Sequence, residues 1–275
     1  MKSSILVIGR SSILAQGFVA QNPDLSIRHV GHGNIDEPGL FDGVEVLVNF
    51  AFAPEFYLQP YTRFYDVDSR IAERVANHSI HYIMISSRKV YSPEVQWNAA
   101  EISMTGGMDV YGRNKIEIES TLNRILGGSL TVLRPGNILG FERVSGRQRF
   151  GAFLLNQLAE QGSIELNISP NTKRDIVPLD YFCKALRFFC QHNLSGVFNI
   201  GAGEACSVGE VATWVVEGFG RGGVHASSSI EVDNFQLDSS KLIQLTSLVC
   251  GREAVEDYCK SIGRQCLLSL ERNRC

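Results

Sequence analysis

The chain has no apolar run long enough to span a bilayer or to form a signal-peptide core; the first such run, Ile5-Leu6-Val7-Ile8, stops at Gly9. It has no CxxC pair. Its seven cysteines (Cys183, Cys190, Cys206, Cys250, Cys259, Cys266 and Cys275) are odd in number and confined to the later chain. That pattern argues against a disulfide framework or a zinc site and for reduced thiols. Neither sign of charge is in large excess: 26 Lys and Arg against 29 Asp and Glu give a net charge of -3, so no basic surface is implied for nucleic acid or an anionic membrane. No internal repeat, low-complexity tract or clean linker divides the chain. His29, His32, His78 and His81 form no pair with metal-ligand context. These absences predict a cytoplasmic protein with no metal, nucleic-acid or membrane partner. With 275 residues, 44% of them hydrophobic, the chain can still bury a substantial core.

What is present is an alternation of short apolar runs with helical patterns. Runs at 4–8, 26–30, 42–50, 81–85, 130–133 and 197–200 read as strands. Residues 11–19, 61–78, 111–126, 150–161 and 179–192 read as helices; in the second of these Phe64, Val67, Ile71 and Val75 recur at spacings of three and four. Strands and helices alternating in this way predict an α/β fold, a doubly wound parallel sheet covered on both faces. Small residues dominate 218–229, which reads as a loop. The expected division places a dinucleotide-binding domain mainly in 1–140, with contributions from about 174–202. A smaller substrate lobe is expected mainly in 141–173 and 203–275.

The chemistry converges on Tyr111-Gly112-Arg113-Asn114-Lys115 and on the Ser86-Ser87 pair at the end of the fourth strand. Four residues apart on a helix, Tyr111 and Lys115 project from one face. An ammonium one turn away favours the phenolate and brings a poor acid or base towards neutral range, while a Ser87 hydroxyl can polarise the oxygen that Tyr111 protonates. At the start of the chain, strand, Gly9 and helix open in the manner of a dinucleotide-binding unit. The glycine signature is incomplete, however: Gly9-x-x-Ser12-x-x-Ala15 has small residues where glycines belong. By itself the loop is also readable as an ordinary strand-to-helix turn. Arg174 is open to a bland reading too, as a surface arginine paired with Asp175, and Arg88-Lys89 as a solvated pair at a strand end.

Taken in order, SILVIGRSSILAQGF, DGVEVLVNFA, YIMISSRKVYS, the Tyr111-to-Lys115 motif, LRPGNILG, RDIVPLD, GVFNIGAG and LDSSKL resemble the extended short-chain dehydrogenase/reductase superfamily. The likeness is to its nucleotide-sugar branch of epimerases, dehydratases and ketoreductases, and it runs over nearly the whole chain. The resemblance implies a Rossmann-type fold, an NAD(P) cofactor and a nucleotide-diphosphate sugar substrate. It assigns Ser87, Tyr111 and Lys115 to catalysis, with Lys115 also holding the nicotinamide ribose. Gly9, Arg10, Ser12, Ile13 and Ala15 fall to the pyrophosphate loop, Asn34-Ile35 to the adenine side, and Ala51 and Pro135 to the cofactor wall. Asn137 and Arg174 join Ser87 on the substrate side, Arg174 at the diphosphate. A homodimer through the helices at 61–78 and 111–126 is implied as well.

Two departures narrow the expectation. The 4,6-dehydratases carry an Asp-Glu pair directly after the catalytic hydroxyl residue, where this chain has Arg88-Lys89. NAD binders place a carboxylate at the end of the second strand, where this chain reads Arg28-His29-Val30-Gly31-His32. Arg10 or Arg28 could pair with a 2'-phosphate instead, so NADP is favoured over NAD. The expectation is NADPH-dependent reduction of a keto group, at C4 of a nucleotide-diphosphate 6-deoxysugar. A 4-epimerase that retains its cofactor and a non-catalytic NAD(P)-binding sensor or scaffold are the alternatives.

Overall fold

The computed structural model describes residues 4–141 and 149–272; Cys275 and the first three residues, Met1-Lys2-Ser3, lie outside them. In chain order the elements are β1 (Ser4–Ile8), α1 (Ile13–Gln21), β2 (Ser26–Val30), β3 (Val46–Asn49), α2 (Val67–Val75) and β4 (His81–Ile85). Then come α3 (Val110–Leu126), β5 (Leu130–Pro135), β6 (Asn137–Leu139), α4 (Phe150–Gln161), β7 (Ile164–Leu166), β8 (Lys173–Arg174) and β9 (Ile176–Pro178). The chain continues through α5 (Leu179–His192), β10 (Gly196–Ile200), β11 (Cys206–Ser207), α6 (Val208–Phe219), β12 (Val224–Ala226), α7 (Ser240–Thr246) and α8 (Gly251–Arg272). Six strands form one sheet in the order β10-β5-β4-β3-β1-β2, and every pairing in it is parallel. This is the doubly wound Rossmann-type fold that the alternation predicts.

Both faces of the central strands are buried, which explains why they read as continuous apolar runs rather than as alternating ones. On one face α1 and α5 bring Ala15, Phe18, Phe182, Leu186 and Phe189 against Ile5, Val7, Val46 and Val48. On the other, α2 and α3 bring Ile71, Val75, Ile118 and Leu122 against Leu6, Leu47, Tyr82 and Val132. A third cluster joins α4, α6, α8 and β7 around Leu155, Trp214, Phe219 and Ile262.

Three elements differ from expectation. The helix read at 61–78 is α helix only over Val67–Val75, preceded by a 3-10 turn at Arg63–Tyr65. Asp66 sets the boundary: its carboxylate accepts the Ser69 backbone N–H at 2.9 Å, an N-cap that starts the helix afresh. The stretch at 218–229 is not all loop, because Val224–Ala226 pairs in parallel with β7. The 22-residue α8 was not anticipated. It buries Val255, Cys259, Ile262 and Cys266 at helical spacing, so two of the late cysteines serve as small apolar core residues. Cys183, Cys190, Cys206, Cys250 and Cys259 are free thiols, and burial pushes the Cys206 thiol up to about 11.

Among the described residues no helix is long and apolar enough to cross a membrane. Nor do those residues contain a cluster of three or more His, Cys, Asp or Glu able to hold a metal ion.

Candidate active site

β1 is flanked by β2 on one side and β3 on the other, so the chain reverses its winding direction there. In open parallel sheets the ligand crevice lies outside the carboxyl ends of the strands at this reversal. A cavity of about 750 Å³ occupies that place. Its wall is built from loops that follow four neighbouring strands: Gly9, Ser11 and Ser12 after β1, Ala51 and Phe52 after β3, Ser86 and Ser87 after β4, and Gly136 after β5.

Gly9 has φ +117°, and a Cβ there would stand 3.0 Å from the Phe50 Cβ and 3.1 Å from the Ala51 backbone nitrogen. Only glycine lets the turn pass so close to the loop after β3. Ser12 is the N-cap of α1 but its side chain makes no capping hydrogen bond. The first N–H groups of α1 are thus not capped by Ser12, and they carry the positive end of the helix dipole beside the cavity. A dinucleotide pyrophosphate suits that corner, and the incomplete glycine signature does not close it.

α3 delivers the Tyr and Lys. Asp109 caps it, accepting the Gly112 N–H at 2.8 Å, and is itself salt-bridged to Lys89 Nζ at 2.5 Å. Gly112 is dictated by proximity: a Cβ there would lie 2.1 Å from the Lys89 carbonyl oxygen. The helix therefore abuts the turn that follows Ser87, whose hydroxyl accepts the Lys89 N–H at 3.2 Å and, across the same cavity wall, pulls the Tyr111 pKa down. Lys115 Nζ donates to the Ile85 carbonyl at 2.8 Å and sits 4.3 Å from the centre of the Phe52 ring.

The phenol is not depressed as the Tyr-Lys spacing suggests. Burial pushes the Tyr111 pKa well up and the neighbouring Tyr57 adds to the rise, against the Ser87 hydroxyl and the Arg149 charge, which pull it down. Tyr111 is accordingly a neutral phenol at physiological pH, able to give a proton rather than take one. Burial lowers the Lys115 pKa, with Asp68 the leading counterweight. Asp68 is fully buried and accepts hydrogen bonds from Asn49 Nδ2 at 2.7 Å and from the Tyr82 hydroxyl at 2.8 Å. Desolvation raises its own pKa, and the Lys115 charge is the largest influence opposing that rise.

The structure brings Gly9, Ser12, Ala51, Ser87, Tyr111, Lys115, Pro135, Asn137 and Arg174 to one cavity wall. The remaining expected residues lie elsewhere. Arg10 is exposed and donates to the His29 carbonyl at 2.9 Å. Ala15 is buried in the core under α1, and Ile13 lies at the start of that helix, off the wall. Ile35 packs in the core with Leu6 and Ile8. The Asn34 side chain is engaged locally, accepting the Gly31 N–H at 3.2 Å and donating to Glu37 at 2.5 Å. Arg174 is not paired with Asp175, which turns away to accept the N–H groups of Ala202 at 2.7 Å and Leu237 at 3.0 Å.

Sequence reasoning missed four groups on this wall. Phe52 and Tyr57 pack around Tyr111, Phe52 edge-on at 5.1 Å between ring centres. Asn49 fixes the loop after β3 by accepting the Ala51 N–H at 2.9 Å; its place as the last residue of an otherwise apolar strand was the available signal. Arg88 is not solvated but 2% exposed, ion-paired with Asp233. Its partner lies 145 residues away, so no local pattern could have revealed it.

The fold and the site together define a Rossmann-type protein with a Ser-Tyr-Lys constellation at the switch point of the sheet. No protein-family model matches the chain. Its fold is that of solved nucleotide-sugar enzymes. A UDP-N-acetylglucosamine 4-epimerase from Methanobrevibacter ruminantium M1, in complex with UDP-N-acetylmuramic acid, superposes with a TM-score of 0.80 at 15% identity, covering 98% of this chain and 100% of that one. MoeE5 in complex with UDP-glucuronic acid and NAD gives 0.78 at 16% identity, covering 99% and 100%. A dTDP-4-dehydrorhamnose reductase from Yersinia enterocolitica gives 0.72 at 15% identity, covering 95% and 100%.

Proposed function

We propose that the protein is an NADPH-dependent oxidoreductase that reduces a keto group, at C4, of a nucleotide-diphosphate 6-deoxysugar. The single observation that carries this reading is the convergence of Ser87, Tyr111 and Lys115 on the cavity at the sheet switch point. Bound NADPH would supply the hydride. Tyr111 gives its proton to the carbonyl oxygen, and Ser87 holds that oxygen in place as negative charge develops on it. Lys115 anchors the cofactor ribose. Its positive charge, sustained by Asp68, steadies the phenolate that proton transfer leaves behind.

Gly9, Ser12 and the N-terminus of α1 would hold the pyrophosphate, with Ala51 and Pro135 along the cofactor wall. Asn137 and Arg174 would face the substrate, within a lobe formed mainly by 149–173 and 203–272. The absence of an acid after Arg28 and the nearness of Arg10 to the end of β2 favour a 2'-phosphate. A 4-epimerase is the second reading, because several proteins of the same fold are epimerases. The NADP preference read from the end of β2 favours net reduction, in which NADPH is consumed.

The test is to incubate the protein with a panel of nucleotide 4-keto-6-deoxysugars and follow NADPH absorbance. Stoichiometric consumption supports the reductase. Interconversion of sugars without consumption supports the epimerase, and inertness towards every substrate removes both.

A further inference from the structure

α3 carries a third polar group in line with Tyr111 and Lys115. Glu119 lies four residues beyond Lys115 and eight beyond Tyr111, so the three side chains share one face of the helix. The later two grip consecutive residues where β4 ends. Lys115 Nζ donates to the Ile85 carbonyl at 2.8 Å, and the next residue, Ser86, donates its hydroxyl to Glu119 Oε1. From the other side the Ser86 backbone N–H donates to the Leu133 carbonyl of β5 at 2.7 Å. Ser86 is 3% exposed, and its hydroxyl proton is committed to Glu119 although the residue lines the cavity. The Ser87 hydroxyl accepts the Lys89 N–H at 3.2 Å, a bond that does not use its own proton. Glu119 is itself held. Arg134, buried near the end of β5, forks onto it, Nε to Oε1 at 3.1 Å and Nη2 to Oε2 at 2.5 Å. Arg134 Nη1 donates to the Glu101 carbonyl at 3.3 Å, and the guanidinium lies 5.0 Å from the centre of the Tyr91 ring. Burial works against the Arg134 charge, and the Glu119 hydrogen bond and charge outweigh it. A carboxylate gripped by a planar fork has little freedom to turn away from Ser86.

We propose that Glu119 is a positioning residue for the reaction: it acts through Ser86 to fix the end of β4, and with it the place of the Ser87 hydroxyl relative to Tyr111. The inference rests on the keto-reduction reading above. Tyr111 comes from a helix and Ser87 from the turn after a strand, yet both must meet one substrate oxygen to within about 0.5 Å. The Lys115 bond to Ile85 holds the strand at one residue only. The Glu119 bond to Ser86 adds a second hold at the next residue, one helical turn further along α3, so that the chain entering Ser87 cannot pivot. Glu119 is not part of the catalytic cavity wall, whereas Ser86 and Ser87 are, so its influence on the substrate passes through Ser86. Its charge also supports Lys115, after Asp68. A variant of Glu119 therefore disturbs two groups at once, and a variant of Ser86 isolates the link to Ser87.

Ser86→Ala removes one hydroxyl and leaves Glu119, Arg134 and Lys115 in place. With a nucleotide 4-keto-6-deoxysugar, its turnover per NADPH-binding site should fall about tenfold, while KM for the sugar and Kd for NADPH stay within about twofold of the parent. Counting turnover per NADPH-binding site removes any loss due to a smaller folded fraction, which is all that a merely structural bond would cause. Ser86→Cys keeps the size but offers a weaker donor; it should lose about threefold, and it carries the test where Ser86→Ala does not fold. Parental turnover by either folded variant, or a loss confined to KM, makes Ser86–Glu119 a packing contact and overturns the proposal. A second measurement needs no substrate: amide hydrogen exchange at residues 87–89 should be faster in Ser86→Ala than in the parent, and equal exchange there also overturns it. If the parent reduces the sugar and Ser86→Ala keeps pace with it, only this inference falls. If the parent reduces no such sugar while exchange at 87–89 still quickens in Ser86→Ala, the hold on the Ser87 turn stands and the keto-reduction reading falls.

Discussion

Tyr57 lies face to face on Tyr111, their ring centres 5.0 Å apart and their planes within 3°. Tyr57 comes from the loop after β3 and is 40% exposed, whereas Tyr111 is held inside the cavity wall. Burial is the main reason the Tyr111 proton is held so firmly, and Tyr57 adds to it. A stacked aromatic pair is typically worth about 0.5–1.5 kcal/mol beyond its buried area. Tyr57→Ala should accordingly lower turnover by about 2- to 10-fold and shift the alkaline limb of the pH–rate profile downwards as Tyr111 becomes hydrated. Tyr57→Phe should keep both near parental values, because its ring preserves the stack.

The close approach of α3 to the turn after Ser87 is tested by Gly112→Ala. A Cβ there meets the Lys89 carbonyl at 2.1 Å, with the Lys89 carbonyl carbon at 2.9 Å, so backbone must move. Overpacking of this kind costs about 1–3 kcal/mol. Thermal melting should register that loss, and turnover should fall further than stability alone explains, since the displaced turn carries Ser87.

Glu210 links the lobe to the pH dependence of stability. It completes the capping box at the start of α6, accepting the Ser207 N–H at 2.8 Å, and takes an Arg252 hydrogen bond at 2.6 Å. Chiefly through Arg252, its carboxyl is held down at about 2, against an ordinary value of 4.5. A carboxyl depressed in the folded state stabilises above its unfolded pKa and loses that contribution as pH falls from about 4.5 towards 2. Glu210→Ala should cost about 1 kcal/mol near neutral pH, a modest figure because the group is part-exposed. The difference from the parent should shrink in denaturant melts below pH 4, and a gap that widens in acid would refute the assignment.

Cofactor choice follows from the end of β2. NADPH should bind more tightly than NADH, and Arg10→Ala should narrow the gap by weakening NADPH alone. Tighter NADH binding by the parent protein would remove the argument.

Much of the fold was legible because parallel strands buried on both faces leave continuous apolar runs, and each run ends in the loop that faces the cavity. Ser87, Tyr111 and Lys115 were legible for a related reason: a strand end and one helical turn suffice to place them. What the sequence hid depends on distant partners. Arg88 looks solvated until Asp233 arrives from 145 residues later, and Tyr57 looks like a loop aromatic until α3 places Tyr111 against it. The expected depression of the Tyr111 pKa failed on another count, since spacing reports Lys115 but not the burial that outweighs it. α8 escaped notice because cysteines occupy two of its four core positions named above.

The central claim is that Tyr111 gives the proton, and Tyr111→Phe measures it most directly. The ring still fills its place between Tyr57 and Phe52, so NADPH affinity should stay within a few-fold of the parent. Loss of the general acid should slow turnover of a nucleotide 4-keto-6-deoxysugar by about 10²- to 10⁴-fold, roughly 3 to 5 kcal/mol. A Tyr111→Phe protein that turns over such a substrate at the parental rate contradicts the account.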